Sequence, residues 1–266
     1  MTLRRIALPA LAALLASLAA CAHAPQPTQA SQPWDEAGQL VLVTTADWDA
    51  TRGELRRFER AGSGWKQVGD AAPITVGRTG TAWGLGLNTS HPDAGPVKRE
   101  GDGKAPAGVF AIGTAFGYAS SANTKLSYQG MTANDWCIDV PASPLYNQIV
   151  DRSLAKAPGL DKSTEPMRLD IHGKDGDQRY AQGFVIQHNV DGRTPSGGSC
   201  IFAHLWGQPG QPTAGCTAMA PETMRPLLAW LDRSRQPVFV LLPRAQYAAL
   251  QHDWHLPQIA TAEARP

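Results

Sequence analysis

The sequence has 266 residues, of which 42% are hydrophobic and 18% charged, and its formal net charge is +1. This composition is ordinary for a globular protein, and the length allows one sizeable domain or two small ones. Because there is no excess of basic residues, nucleic acid is not expected as a partner, and the charge indicates no other partner.

The first twenty residues predict a signal peptide. Arg4 and Arg5 form a basic start, and residues 6–20 are an uncharged run rich in Leu and Ala. That run is too short for a comfortable transmembrane helix. Removing residues 1–20 leaves 22 basic against 23 acidic residues.

The predicted signal peptide ends in Leu18-Ala19-Ala20-Cys21, which resembles the lipobox of bacterial lipoproteins. The resemblance implies that Cys21 is lipidated and becomes the mature N-terminus. Ala22 after this cysteine implies a periplasmic protein anchored by lipid to the outer membrane. Residues 21–36 then form the lipidated start and a flexible tether. A plain secretory signal, with Cys21 incidental, is the alternative.

Export makes the other cysteines informative. If Cys21 carries lipid, an odd number is left in an oxidising compartment: Cys137, Cys200 and Cys216. The simplest interpretation is one disulfide, Cys137–Cys200, with Cys216 as a free thiol. The other pairings stay open.

Apolar and β-branched runs predict a mainly β (α+β) domain over residues 37–245, followed by a C-terminal tail, 246–266. The predicted strands are 39–45, 53–60, 65–68, 74–77, the apolar run 109–112 after a tight entry at 103–108, 183–189, 199–204 and 237–242. The first four form an antiparallel meander, because no helical period separates them. The runs 183–189 and 199–204 are expected to pair.

One helix is predicted over residues 221–235, with Pro221 near its start. The long irregular stretch 113–182 is typical of a lid or a substrate wall. His91 is expected to be a solvated loop residue, and His172 to have a structural role.

Two segments carry the candidate chemistry. Residues 198–204 form an apolar, strand-like run that ends on His204, and a loop then leads to Thr213-Ala214-Gly215-Cys216. A cysteine attacks as the thiolate, which a nearby histidine favours as an ion pair or as a general base. Gly215 permits a tight turn, so the N–H groups of Gly215 and Cys216 are candidate oxyanion donors. The small neighbour Thr213 leaves room for substrate.

Other interpretations compete with catalysis. Cys216 could be a buried small hydrophobe, and His204 a satisfied core histidine. Two histidines and two cysteines, at gaps of twelve, four and twelve residues, also make a legitimate zinc set: His188, Cys200, His204 and Cys216. No close Cys-x-x-Cys or His-x-x-x-His pair supports zinc.

The carboxy-terminal half resembles the L,D-transpeptidase family of bacterial cell-wall enzymes, the YkuD-type catalytic domain. That family's motif is a histidine on a strand, a loop, and then Ser/Thr-x-Gly-Cys, matched here by His204, residues 205–212 and the segment 213–216. Residues 103–110 are similar to the family's Thr-Pro-x-Gly-x-Phe strand entry, preceded by a turn at Val76-Gly77. The likeness spans roughly residues 39–243 and implies a β-sandwich or barrel-like domain with a short helix after the cysteine.

The chain also departs from the family pattern. Ala214 stands where the family often has His, Ala218 stands where it often has Arg, and the loop between histidine and cysteine is short. A divergent branch with a Gly-Ser-x-Ile-Phe-x-His strand and a Thr-Ala-Gly-Cys turn resembles this chain best. Because Ala218 replaces an arginine of the family, the way in which substrate is recognised is less certain than the identity of the nucleophile.

The resemblance implies that Cys216 attacks the carbonyl of an L-residue in a peptidoglycan stem peptide and releases the following D-residue. His204 would act as base and then acid, oriented by the main-chain carbonyl of Leu205, while Thr213 and His188 would contact substrate. The thioacyl enzyme then passes to an amine.

No cofactor or metal is implied by the resemblance. The only membrane contact expected is through the lipid, and a monomer is expected. The alternatives are an L,D-carboxypeptidase or endopeptidase, which differs only in the acceptor, and a non-catalytic, zinc-binding wall-associated lipoprotein.

Overall fold

A computed structural model describes residues 30–88, 95–192 and 194–259. The predicted signal peptide, Cys21, His91 and the end of the C-terminal tail lie outside these residues. None of the described helices combines the length and the apolar character needed to span a bilayer.

The described residues are mainly β, as predicted. The strands, in chain order, are β1 (Gln39–Thr45), β2 (Arg52–Ala61), β3 (Gly64–Thr75), β4 (Thr81–Trp83), β5 (Ala105–Gly117), β6 (Tyr128–Gly130), β7 (Asp135–Cys137), β8 (Ile149–Asp151), β9 (Glu165–Pro166), β10 (Gln182–Ile186), β11 (Phe202–Leu205), β12 (Thr217–Met219) and β13 (Val238–Pro243). The helices are α1 (Leu169–His172), α2 (Pro221–Trp230) and α3 (Arg244–Leu250), with short 3-10 turns at Leu160–Lys162, Val190–Gly192 and Arg233–Arg235.

Eight of these strands form a closed sheet. Their order is β10-β11-β12-β3-β2-β1-β13-β5, and β5 pairs back onto β10. The pairings β11–β12 and β1–β13 are parallel, and the other six pairs of neighbours are antiparallel. β4 and β6 add to β5 in parallel outside the closed ring.

The core is built on β1 and β13, in which every residue is buried. Residues 40–43 of β1 and all of β13 are continuous apolar runs rather than alternating ones, the pattern of strands covered on two faces. Helix α3 packs against this pair, while α2 packs against β10 and β11. Helix α2 therefore covers the sheet at the strand that carries His204.

The predicted meander is confirmed, because β1, β2 and β3 pair antiparallel. The predicted strand 74–77 is wrong as a separate element: β3 runs on to Thr75 across a bulge in its pairing with β2. The predicted pairing of 183–189 with 199–204 is also confirmed, as β10 with β11. β11 begins only at Phe202, since Cys200 takes a left-handed backbone angle (φ 56).

The predicted helix 221–235 ends early, at Trp230. Pro226 lies inside it, and Leu231 turns extended (φ −63, ψ 132). A proline removes one backbone hydrogen bond from a helix interior, so a short helix is the expected result.

The domain extends beyond the predicted limits of 37–245 at both ends. Trp34 is buried, and its indole N–H donates to the carbonyl of Trp254 at 2.8 Å. The compact unit begins at Ser31. The Pro- and Gln-rich composition of residues 21–36 predicted a tether. That composition gave no sign that Trp34 is buried.

Part of the stretch 113–182 is ordered by a small second sheet, with the order β8-β7-β9. A disulfide joins Cys137, at the end of β7, to Cys200, which precedes β11. This bond ties the second sheet to the strand of the closed sheet that carries His204.

Replacing Phe239 with Ala should lower the free energy of unfolding by about 3 to 5 kcal/mol, because Phe239 is fully buried at the seam of β13 and β5. Urea denaturation measures the change. Leu154→Ala is the matched control, since that side chain is 78% exposed and should cost less than about 0.5 kcal/mol. Equal losses in the two variants would contradict this placement of the core.

Candidate active site

His204 is held in β11 with one ring nitrogen fixed. It pairs with Gly183 of β10 on one side and with Ala218 of β12 on the other, and it is 5% exposed. Its Nδ1 lies 2.7 Å from the carbonyl oxygen of Leu205. A carbonyl only accepts, so Nδ1 carries the proton and Nε2 keeps a lone pair. This is the orientation through Leu205 that the family resemblance implies.

Cys216 ends a turn that is anchored at several points. The Thr213 hydroxyl accepts from the Gly215 N–H at 3.1 Å and donates to the Cys216 carbonyl at 2.6 Å. The backbone of Thr213 bonds to Val76 and Arg78, at 2.9 and 2.8 Å. The turn is thereby fixed to the loop after β3.

Gly215 is required by the geometry of this turn. Its φ of +155° lies in the region that favours glycine, and a Cβ there would stand 3.1 Å from the Lys104 carbonyl oxygen. A side chain at this position would therefore displace the residue that precedes the nucleophile.

Parallel pairing brings the cysteine close to the strand that carries the histidine. His204 is opposite Ala218 of β12 in the register, and Cys216 comes directly before β12. The histidine and the cysteine are therefore held on neighbouring segments of the sheet. Both residues line one cavity of about 430 Å³, which Thr213, Gly215 and Ala218 also line.

The thiol points at the backbone rather than at the imidazole. It accepts from the Phe202 N–H at 3.3 Å and donates to the Cys200 carbonyl at 3.4 Å. His204 Nε2 has no hydrogen-bond partner among the described residues. The nitrogen with the lone pair is thus left for a group that enters the cavity or for the thiol after rotation.

Burial keeps both groups neutral at rest. It raises the pKa of the Cys216 thiol to about 12, and the nearby Glu165 carboxylate acts in the same direction. It lowers the pKa of His204 to about 4, with the Arg179 charge adding to the effect. The resting pair is therefore thiol and imidazole.

One of the two expected oxyanion donors is already occupied. The Gly215 N–H donates to Thr213 Oγ1, so its expected role is corrected to holding the turn. The Cys216 N–H donates to no acceptor in the part of the chain that the structure describes. It remains as the available backbone donor at the nucleophile.

His188 does not line this cavity. The Leu85 N–H donates to its Nδ1 at 3.1 Å, so the proton is on Nε2, which lies 3.0 Å from the Gly197 carbonyl. With both nitrogens used and burial lowering its pKa to about 4, His188 is a core histidine that fixes two loops. The expected substrate contact is not made from this position.

The zinc set is not assembled. The Cys200 sulfur is bonded to Cys137, the pairing preferred from the sequence, and Cys216 is the free cysteine. Within residues 30–88, 95–192 and 194–259, no group of three or more His, Cys, Asp or Glu side chains is arranged to hold a metal ion. His172 has the expected structural role, because its Nε2 lies 2.6 Å from the Ala133 carbonyl and its ring packs on Trp136.

Several cavity residues were missed from the sequence. Asp139, Thr164, Glu165, Arg179 and Tyr180 come from the stretch 113–182, which thus contributes a wall as expected. No local sequence pattern identifies these residues as part of a cavity. Glu165, for example, lies in a strand of only two residues. Ser199 also lines the cavity. The sequence did contain a pattern that includes this residue, Gly-Ser-x-Ile-Phe-x-His. The Ser199 hydroxyl donates to the Glu100 carboxylate at 2.6 Å.

No protein-family model matches the chain, and no curated protein matches it. Among solved structures, Bd1075 of Bdellovibrio bacteriovorus aligns with a TM-score of 0.39 and 13% identity, over 77% of this chain and 48% of that one. The chain thus spans about half the length of that protein. At this TM-score the likeness carries no inference, and the case for a function rests on the site.

Removing the disulfide through Cys137→Ala and Cys200→Ala together should lower the free energy of unfolding by about 2 to 4 kcal/mol, because the bond closes a loop with a sequence separation of 63. Urea denaturation measures the loss. Dithiothreitol should destabilise the native protein to the same extent and leave the double variant unchanged. A reductant-sensitive double variant would show that another disulfide is responsible.

Alkylation of Cys216 by iodoacetamide should be slow at neutral pH and should rise with pH to a midpoint well above 9. The reason is that only the thiolate reacts and burial raises the thiol pKa to about 12. Mass spectrometry against time gives the rate at each pH. The same protein in urea serves as control, with a midpoint at the ordinary cysteine value near 8.5. A folded-state midpoint below that value would mean that the thiol rests as an ion pair.

Proposed function

We propose that this protein is a peptidoglycan L,D-transpeptidase, a cysteine acyltransferase in cell-wall remodelling. The observation that carries the proposal is the pairing of β11 with β12, which brings a histidine of fixed tautomer and the free cysteine that precedes β12 to the wall of the same cavity. The YkuD-type architecture is part of the proposal, and the closed, mainly β sheet is compatible with it.

In the proposed reaction, Cys216 Sγ attacks the carbonyl of an L-residue while its proton passes to His204 Nε2. The Leu205 carbonyl stabilises the imidazolium through Nδ1–H, and the Cys216 N–H is available to the oxyanion. The protonated histidine then gives its proton to the departing amine of the D-residue. This leaves a thioester on Cys216.

In the second half of the reaction an amine attacks the thioester, and His204 accepts its proton and returns it to the sulfur. The products are a new amide and the free thiol, so no cofactor is needed. Neutral resting groups suit this cycle, because each half begins with a proton transfer to the lone pair of Nε2.

The cavity has the volume and polarity for a peptide. Its volume of about 430 Å³ lies in the usual range for ligand sites. Ala218 lines it where the family often has Arg, and two other arginines, Arg78 and Arg179, line it from different segments. Recognition of a peptide carboxylate is thus available from positions outside the family motif.

The nearest alternative is an L,D-carboxypeptidase or endopeptidase, in which water replaces the amine. A non-catalytic wall-binding lipoprotein is a second alternative, favoured by the high thiol pKa. Its zinc-binding form has lost two ligands, since Cys200 is in a disulfide and His188 bonds to backbone. Anchoring in the periplasm through lipid on Cys21 remains a proposal based on the N-terminal sequence.

Cys216→Ala should abolish, and His204→Gln should slow by about 100-fold or more, the formation of a thioacyl adduct with stem peptides. Mass spectrometry of the protein after incubation with tetrapeptide fragments, or with a carbapenem, which acylates this family, detects the adduct. The mass of the released peptide distinguishes a new amide from simple loss of the D-residue. It therefore separates the transpeptidase from the carboxypeptidase.

His188→Gln is the matched histidine control. His188 is as buried as His204 but bonds only to backbone, so adduct formation should continue in that variant if circular dichroism shows it folded. Adduct that persists in Cys216→Ala would falsify the proposed nucleophile. Binding to peptidoglycan without any adduct would favour the non-catalytic alternative.

A further inference from the structure

The cavity wall opposite the catalytic strands carries a carboxylate held by a tyrosine. Glu165 and Tyr180 both line the cavity that contains Cys216 and His204. The Tyr180 hydroxyl donates to Glu165 Oε1 at 2.5 Å. The proposed reaction uses neither residue.

Covalent and backbone bonds fix Glu165 relative to the thiol. Glu165 in β9 pairs with Cys137 in β7, and Cys137 is joined by the disulfide to Cys200. The Cys200 carbonyl accepts a hydrogen bond from the Cys216 thiol. The carboxylate is thus connected to the nucleophile by a short chain of bonds rather than by a loose loop.

Tyr180 is fixed as tightly. It is 5% exposed, and its ring packs edge-on against His204, with 5.1 Å between the ring centroids. Phe116 and Phe202 close its other sides. A tyrosine held in this way presents its hydroxyl to the carboxylate at a constant position.

The carboxylate has no cation of its own. Among the described residues, no Lys or Arg nitrogen lies within 4.0 Å of Glu165. Three cations line the cavity, and two of them are already paired: Arg179 with Asp177 at 2.7 Å, and Lys98 with Asp102 at 2.6 Å. The second oxygen of Glu165, Oε2, has no hydrogen-bond partner among the described residues and is not fully shielded, so it remains for a ligand.

The other acidic residues of the cavity are occupied. Asp139 accepts from the Thr164 backbone N–H at 3.0 Å. Glu100 accepts from the hydroxyls of Tyr146 and Ser199. Glu165, with a single hydrogen bond, is therefore the carboxylate with the most capacity left.

We propose that Glu165, positioned by Tyr180, is a subsite for a primary ammonium group of the substrate, adjacent to the Cys216 thiol. The inference rests on the proposed acyl transfer and deepens it by naming a charge that the substrate must carry. An ammonium bonds well to a carboxylate in a partly desolvated cavity when no resident cation lies within ion-pair distance of that carboxylate.

Binding of a cation at this subsite also acts on the thiol. The carboxylate near Cys216 opposes thiolate formation, whereas Lys98 and Arg179 favour it. An ammonium that neutralises Glu165 removes that opposition, so the thiol ionises more readily when a matching substrate is present. Asp139, Glu100 and Arg179 are the other charges that act on Glu165 itself.

Direct binding is tested by carboxyl ¹³C NMR of the full protein, with Glu165 assigned by the signal missing from Glu165→Gln. Burial raises the pKa of Glu165 to about 7. Ethylammonium chloride should lower that titration midpoint relative to sodium chloride at the same ionic strength, because a bound cation stabilises the carboxylate. Identical midpoints in the two salts would overturn the proposal, whatever the activity of Cys216.

Reactivity gives a second test with matched probes, 2-bromoethylamine and 2-bromoethanol at pH 7. In each case the Cys216 thiolate forms a carbon–sulfur bond and bromide leaves. The rate ratio of the ammonium probe to the alcohol should fall by about tenfold in Glu165→Gln. It should be retained in Asp139→Asn, the matched control in the same cavity. A ratio that is the same in the native protein and Glu165→Gln would contradict the subsite.

The substrate ammonium could belong to the acyl donor or to the acceptor amine, and Glu165→Gln separates them. Slower formation of the thioacyl adduct points to the donor. Normal adduct formation, followed by more hydrolysis and less transfer to amine, points to the acceptor. If no adduct forms even in the native protein, the acyl-transfer proposal fails, while the NMR result still decides whether Glu165 binds an ammonium.

Discussion

The parallel pairing of β11 with β12 is the constraint on which the rest of the site depends. Parallel neighbours need a crossover, and here it is the short segment 206–216. Trp206 supports this segment by donating through its indole to Thr75 Oγ1 at 2.8 Å, and the Thr75 hydroxyl donates to the Gln211 carbonyl at 2.7 Å. The crossover is therefore fixed against β3, and Cys216, its last residue, is held at a set position beside the strand that carries His204.

The same packing that fixes this geometry makes the groups less reactive at rest. A thiol and an imidazole that are both buried lose the solvation of their charged forms, so the neutral pair is favoured over the ion pair. Under the proposed function, reactivity would then come from what enters the cavity, because a substrate that displaces water and brings its own charge would change this balance.

The parts of the fold that were predictable from sequence are those set by local pattern. Continuous apolar runs mark β1 and β13, and the spacing from histidine to Thr-x-Gly-Cys marks the candidate pair. The missing information is long-range. Trp34 was assigned to a tether because its partner, Trp254, lies 220 residues away, and Glu165 looked ordinary because only the disulfide and β7 bring it to the cavity. Likewise, the role of His188 depends on its contacts with the backbone of Leu85 and Gly197, and the spacing of residues in the sequence does not predict these contacts.

The disulfide therefore has a role beyond stability. It connects the wall that carries Glu165 to Cys200, whose left-handed backbone (φ 56) turns its carbonyl to the thiol and starts β11 at Phe202. A non-glycine residue in that conformation costs about 1 kcal/mol or more, and it persists where the surroundings impose it. Here Asn147 holds the Cys200 N–H at 2.8 Å while the sulfur is held by Cys137. Because one residue fixes both the wall and the nucleophile, a change in the insertion reaches the chemistry through Cys200 even when His204 and Cys216 are untouched.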